Sequence, residues 1–186
     1  MNLQPSDILE FWFEGDASER RDKWFEKDAA FDSLCAGFTA AIRDARAGHF
    51  DVWAAIPRGA LALIILLDQL SRNVFRGSAE AFAADPHARE IARRTIEAGF
   101  DMQLTPVERM FVYLPFEHAE TIADQNEAVR LYETLRDALG EKTVDYAHRH
   151  CDVILRFGRF PHRNVALGRI STPEEEDYLA QPGAGF

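Results

Sequence analysis

The chain has 186 residues, 47% of them hydrophobic, and a formal net charge of −10, which fits one domain able to bury a core of its own. That charge excludes a general nucleic-acid binder, which needs a basic face to displace counterions from phosphates. Only two cysteines occur, so no disulfide framework supports the fold, and Cys35 and Cys151 are expected as free thiols in a reducing cytosol.

From the N-terminus, Met1 to Asp7 lack the basic-then-apolar order of a secretion signal, and a cytoplasmic location is expected. Trp12, Phe13, Trp24 and Phe25 are expected in the core, because Glu10, Glu14, Asp16 and Glu26 around them argue against a membrane contact. Phe31, Leu34, Cys35, Phe38, Ile42 and Ala45 recur at helical spacing and predict one helix ended by Gly48. Pro57 opens the next. Its stretch Ala60 to Leu67 is apolar on every face and is expected to lie centrally; the apolar run from Gly59 is closed by Asp68, far short of the ~20 residues that span a bilayer.

Asp85-Pro86 has the form of an N-cap followed by proline at the first helical position, with Gly99 as the stop. Thr105-Pro106-Val107-Glu108 is a capping box, and Pro115 is expected to break or kink the helix that follows. Ala128, Leu131, Tyr132, Leu135 and Leu139 predict a helix up to Gly140; Val144, Ala147, Cys151, Ile154 and Leu155 predict another up to Gly158. Thr172-Pro173-Glu174-Glu175 is a second capping box that starts a short last helix. No alternating β-branched run occurs. The expected fold is all-α, with about eight helices in stacked antiparallel hairpins, as a single domain over residues 1–180 and a flexible Gly- and Pro-rich tail at 181–186.

Candidate chemistry concentrates in three places. At the end of the apolar helix, Asp68, Gln69, Arg72, Asn73 and Arg76 follow one another, with Asp68 and Arg72 on one face and expected to leave the core together. They read either as a helix end, with Arg72 and Arg76 against the dipole and Gln69 and Asn73 on loop carbonyls, or as a pocket floor where Arg72 grips a ligand and Asp68 aims it. Near the C-terminus, Arg156 to Asn164 sets three arginines and a histidine around a Gly and a Pro. Arg159, His162, Arg163 and Asn164 are the ligand-binding candidates here. The structural alternative pairs Arg156, Arg159, Arg163 and Arg169 with Glu174, Glu175, Glu176 or Asp68.

The third place is Glu117-His118-Ala119-Glu120, where His118 is a candidate acid/base with Glu120 orienting it and both glutamates raising its pKa. A metal reading would add Asp145, His148 and Asp152 from the penultimate helix, with His150 facing elsewhere. Such spacing is common, and the histidines read as surface or supporting side chains, so neither a metal nor a cofactor is expected. No phosphate-binding glycine loop or GxSxG elbow is present.

Taken as a set, Phe11-Trp12-Phe13, Lys23-Trp24-Phe25, Leu63 to Gln69 with Arg72-Asn73 and Phe75-Arg76-Gly77, Tyr113-Leu114-Pro115 with His118 and Glu120, Arg156 to Asn164, and Leu167-Gly168-Arg169 with Ser171-Thr172 are distinctive. They resemble the bacterial family called domain of unknown function 924, over nearly the whole chain. Ser71 and Ala119 stand where that pattern has Pro and Ser. The resemblance implies a fold similar to tetratricopeptide repeats and no established activity. The expected function is therefore binding of a small anionic ligand, a carboxylate or phosphate, in a pocket lined by Arg, His and Asp. Two alternatives stand beside it: a helical scaffold for a peptide or protein partner, and a hydrolase using His118 and Glu120.

Overall fold

Apolar side chains at three- and four-residue intervals put the chain into helices, and the computed structural model contains no strand among the residues it describes, 3–21 and 24–185. Met1 and Asn2 of the segment read as lacking a signal, Lys23 of the Lys23-Trp24-Phe25 motif, and Phe186 of the tail lie outside those residues.

Helix α1 (Pro5–Phe13) buries Ile8, Leu9, Trp12 and Phe13. Phe111 receives Trp12, Phe13 and Trp24 edge-on at 5.6, 5.6 and 5.0 Å between ring centres, the favoured geometry for aromatic quadrupoles. Phe25 departs from the core expectation: it lies flat over Phe111 but stays 37% exposed. The helix predicted to run to Gly48 is two, α2 (Ala29–Cys35) and α3 (Thr39–Arg46), joined by a tight 3₁₀ turn. Gly37 sits in that turn, where its backbone freedom weakens a continuous helix.

Helix α4 (Pro57–Ile64) continues through a wide π-helical turn, Ile65–Leu70, into α5 (Ser71–Val74). Every side chain from Gly59 to Leu70 is buried, because α1, α6 and α7 pack around it. Gly59 is required by close approach: a Cβ there would meet the Trp53 carbonyl at 2.1 Å. The apolar helix is thus central, as its composition dictates.

Helix α6 (Asp85–Glu97) begins one residue earlier than expected. Ala84 is the N-cap, and the Asp85 carboxylate caps nothing, because arginines from elsewhere hold it. The Thr105–Glu108 capping box opens α7 (Pro106–Glu117) as read. Pro115 does not break that helix; only the last turn follows it, so its missing amide costs one bond, and the His118 amide still reaches the Leu114 carbonyl. Beyond the four residues 118–121, α8 (Ile122–Glu133) packs back on α7, and α10 (Glu141–Phe157) packs on α8. The short α9 (Arg136–Leu139) separates them where one helix to Gly140 was expected. Thr172 and Glu175 cap α11 (Pro173–Leu179) reciprocally, as predicted. No helix among the described residues is long and apolar enough to cross a membrane.

Candidate functional site

The polar end of the central helix does not leave the core. Asp68 has no exposed surface, because the helix is enclosed through Leu70 and the C-terminus of α7 covers it. Its carboxylate is held by three donors: His118 Nδ1 at 2.8 and 3.1 Å, Arg72 Nη1 at 2.9 Å, and Gln69 Nε2 at 2.5 Å. Burial alone would raise the Asp68 carboxyl, but the Arg72 and His118 contacts overcome it and hold it below the usual carboxylate range. An ionised Asp68 fixes the proton of His118 on Nδ1 and leaves the lone pair on Nε2. Burial and then Arg72 push the His118 pKa down despite Asp68, so the ring stays neutral near pH 7. This reverses the upward shift expected from Glu117 and Glu120.

Arg72 also grips Asp85 through both guanidinium nitrogens, at 2.9 and 3.0 Å. Arg163 approaches the same carboxylate at 3.4 Å and lies between the rings of Phe82 and Phe160, 4.7 and 4.5 Å from their centres. Its side chain is 6% exposed and its Nε is buried without a hydrogen-bond partner. Burial and the neighbouring Arg72 lower its pKa to about 10.

A cavity of about 460 Å³ opens beside this cluster. Gln69, Arg72, Asn73, Arg76, His118, His162 and Arg163, all singled out in the sequence, line it together. Arg76 and Asn73 are tied to Asp32, at 2.6 and 2.8 Å and at 2.8 Å respectively, so Asn73 meets a carboxylate and not the loop carbonyl expected for it. Burial first, then Arg163, lower the His162 pKa to about 3. Among the described lining residues, Arg20, Lys27, Arg72, Arg76 and Arg163 are cationic, and only Glu26 and Glu117 are acids. Glu117 is buried, which raises its pKa to about 8 with Asp68 adding to the effect, so near pH 7 it is mostly protonated.

The remaining candidates lie elsewhere. Glu120 does not orient His118: it accepts from Arg169 at 2.7 and 3.0 Å and from the Phe160 amide at 2.8 Å. Asp68 fills the orienting position instead. Arg159 binds Glu175 at 2.6 and 2.8 Å and the Ile170 carbonyl at 2.9 Å. Asn164 is buried in the same network, bonded to Ser171, Glu175 and Arg169. Together with the Arg156–Glu174 pair, these contacts pin the C-terminal segment to α10 and α11. The structural alternative thus holds for Arg156 and Arg159, whereas Arg163 and Arg169 pair with Asp85 and Glu120.

The histidines of α10 exchange the places read for them. His148 is exposed and pairs with Glu133 at 3.0 Å, while His150 is 5% exposed and faces the cavity beside Glu117 and His118. Glu117, His118 and His150 each offer a ligand atom, all within 4.8 Å of one another.

A family described as "Bacterial protein of unknown function (DUF924)" matches residues 8–183. The chain belongs to that family. It is also similar to a solved protein of unknown function, ATU0120 from Agrobacterium tumefaciens, at 44% identity and a TM-score of 0.86, over 95% of this chain and 96% of that one. No curated protein matches the chain.

Family membership carries no activity, so the geometry must. Two residues of the site escaped the sequence reading, each despite a usable signal. His150 lies three residues after Ala147 and four before Ile154, on the buried stripe of α10. Asp85, read as a cap, begins a helix whose buried stripe of Ala88, Ile91 and Thr95 turns that carboxylate toward the core.

Proposed function

We propose that the cavity binds a small anion, a carboxylate or phosphate metabolite, in the cytoplasm. The observation that carries this reading is Arg163: a desolvated guanidinium with an unpartnered Nε and one long bond to a carboxylate already taken by Arg72. A buried donor without an acceptor costs ~1–3 kcal/mol, more when charged, and an anionic ligand in the adjoining cavity relieves it. Of the lining cations Arg72 and Arg76 are already paired, with Asp85 and Asp32, so Arg163 sets the sign of the ligand. The volume lies within the roughly 300–1,000 Å³ of small-molecule sites, which favours a metabolite over the peptide of the scaffold reading.

The test is a thermal-shift series with phosphate, phosphorylated sugars and di- and tricarboxylates on the wild type, Arg163→Met and Arg159→Ala. A ligand at a hundred times its Kd adds about 2.7 kcal/mol, a rise of roughly 5–10 °C for a chain of this size. The shift is expected in wild type and Arg159→Ala and absent in Arg163→Met. An equal shift in all three sinks the proposal.

A second reading, hydrolysis of such a ligand, is favoured by one observation: the 2.8 Å Asp68–His118 bond, which fixes an Nε2 lone pair as a general base. It requires turnover that His118→Gln removes and Glu120→Gln leaves in place.

A further inference from the structure

Outside the arginine cluster, the cavity wall holds a second group of side chains that anion binding does not use. Glu117 closes α7, His118 caps it, and His150 comes from the buried face of α10. All three are at the same wall of the cavity. Packing of α10 and α7 against α8, not sequence spacing, brings them together.

We propose that Glu117, His118 and His150 form the binding site of one first-row divalent transition-metal ion, of the zinc class. Three protein ligands, two imidazoles and one carboxylate, are the donor set of zinc sites that keep a coordination position open and of non-haem iron sites. Three observations support it. The ligand atoms lie within 4.8 Å of one another, and a tetrahedral ion with bonds of about 2.0–2.1 Å holds its ligands about 3.3 Å apart, so modest side-chain rotations close the site. Each imidazole is also oriented from behind. His118 Nδ1 donates to Asp68 at 2.8 Å, a carboxylate–histidine arrangement, and His150 Nδ1 donates to the Tyr146 carbonyl at 2.8 Å. Both bonds leave Nε2 as the lone-pair nitrogen, and such outer partners are what metal-binding histidines have. Finally, Glu117 is a buried carboxyl standing beside both imidazoles.

The ion would share its cavity with Arg72 and Arg163, so an anionic ligand could meet both. Use of His118 Nε2 by a metal excludes its use as a free general base; the two roles are alternatives. The proposal does not depend on the anion reading, because the metal alone is the probe.

The experiment is titration of chelator-treated protein with Co²⁺, followed by its visible absorption, for the wild type, Glu117→Gln, His150→Gln and His148→Gln. The last tests the exposed His148–Glu133 pair as a source of adventitious binding. One equivalent is expected to bind wild type and His148→Gln, with affinity lower by on the order of tenfold or more in the other two. Pulsed electron paramagnetic resonance of the Cu²⁺-loaded wild type, which needs no variant, is expected to show two imidazoles. Absence of stoichiometric binding in wild type, unchanged affinity in both Glu117→Gln and His150→Gln, or a spectrum with fewer than two imidazoles overturns the site.

Discussion

Arg159 and Arg163 stand four residues apart in one motif and do opposite work. Arg159 is the better-satisfied group: Glu175 takes two of its donors, a backbone carbonyl takes another, and it stays in touch with solvent. Arg163 is buried between two aromatic rings and bonded at 3.4 Å to a carboxylate that Arg72 already holds. The difference teaches that a cation's role is read from how completely its donors are met. A saturated arginine is a tie, and an unsaturated buried one keeps donors that the protein's own acceptors do not fully meet.

The comparison can be broken most strongly at Asp68, which stands behind the cavity half. Asp68→Ala would leave Arg72 and His118 without their shared acceptor, and a loss of about 3–5 kcal/mol is expected, a melting point lower by on the order of 10 °C. A drop of a degree or two would mean that Asp85 alone satisfies Arg72.

In the latch half, Arg169→Ala removes the bonds that Arg169 makes to Glu120, the Phe160 carbonyl and Asn164 together, and about 2 kcal/mol should go without loss of any anion-induced shift. Arg159→Ala should cost less than that, since Glu175 keeps the Thr172 amide and Asn164. Arg163→Met sharpens the contrast: stability is expected within about 1 kcal/mol of wild type, because an apolar side chain of similar size suits the Phe82–Phe160 slot. A large destabilisation there would make Arg163 a tie like its neighbour.

Acid distinguishes the halves as well. His162 titrates at about 3 when folded and at about 6.5 in the unfolded chain. The unfolded state therefore binds the extra proton, and stability contributed by this group is present above pH 6.5 and is lost as pH falls from about 6.5 toward 3. Chemical denaturation across that window should show a slope that flattens in His162→Gln; an unchanged slope would mean that the ring is solvated. The smallest effect concerns Cys35, whose thiol burial and nearby Asp32 push up to about 12. A disulfide reagent at pH 8 should leave it unmodified until the protein unfolds.

Much of this molecule is written in local sequence. The central placement of Ala60–Leu67 follows from its having no polar face, and the capping boxes at Thr105 and Thr172 follow from side chains and amides three residues apart. Those interactions are short-range, so periodicity and spacing determine them. The polar residues that line the cavity were also legible as types, since Gln69, Arg72, His118, His162 and Arg163 are conspicuous in an acidic, apolar-cored chain. Their partners were not legible. The Asp68–His118 bond spans 50 residues and the Arg163–Asp85 contact 78, and no local pattern encodes which acid meets which base across such distances. Helix packing decided that Glu120 serves Arg169 and not His118, and that His150 rather than His148 faces Glu117. Sequence thus determined the elements and the inventory of charged groups; tertiary structure decided which of those groups satisfy one another and which are left facing the cavity, because burial and pairing are properties of the packed chain.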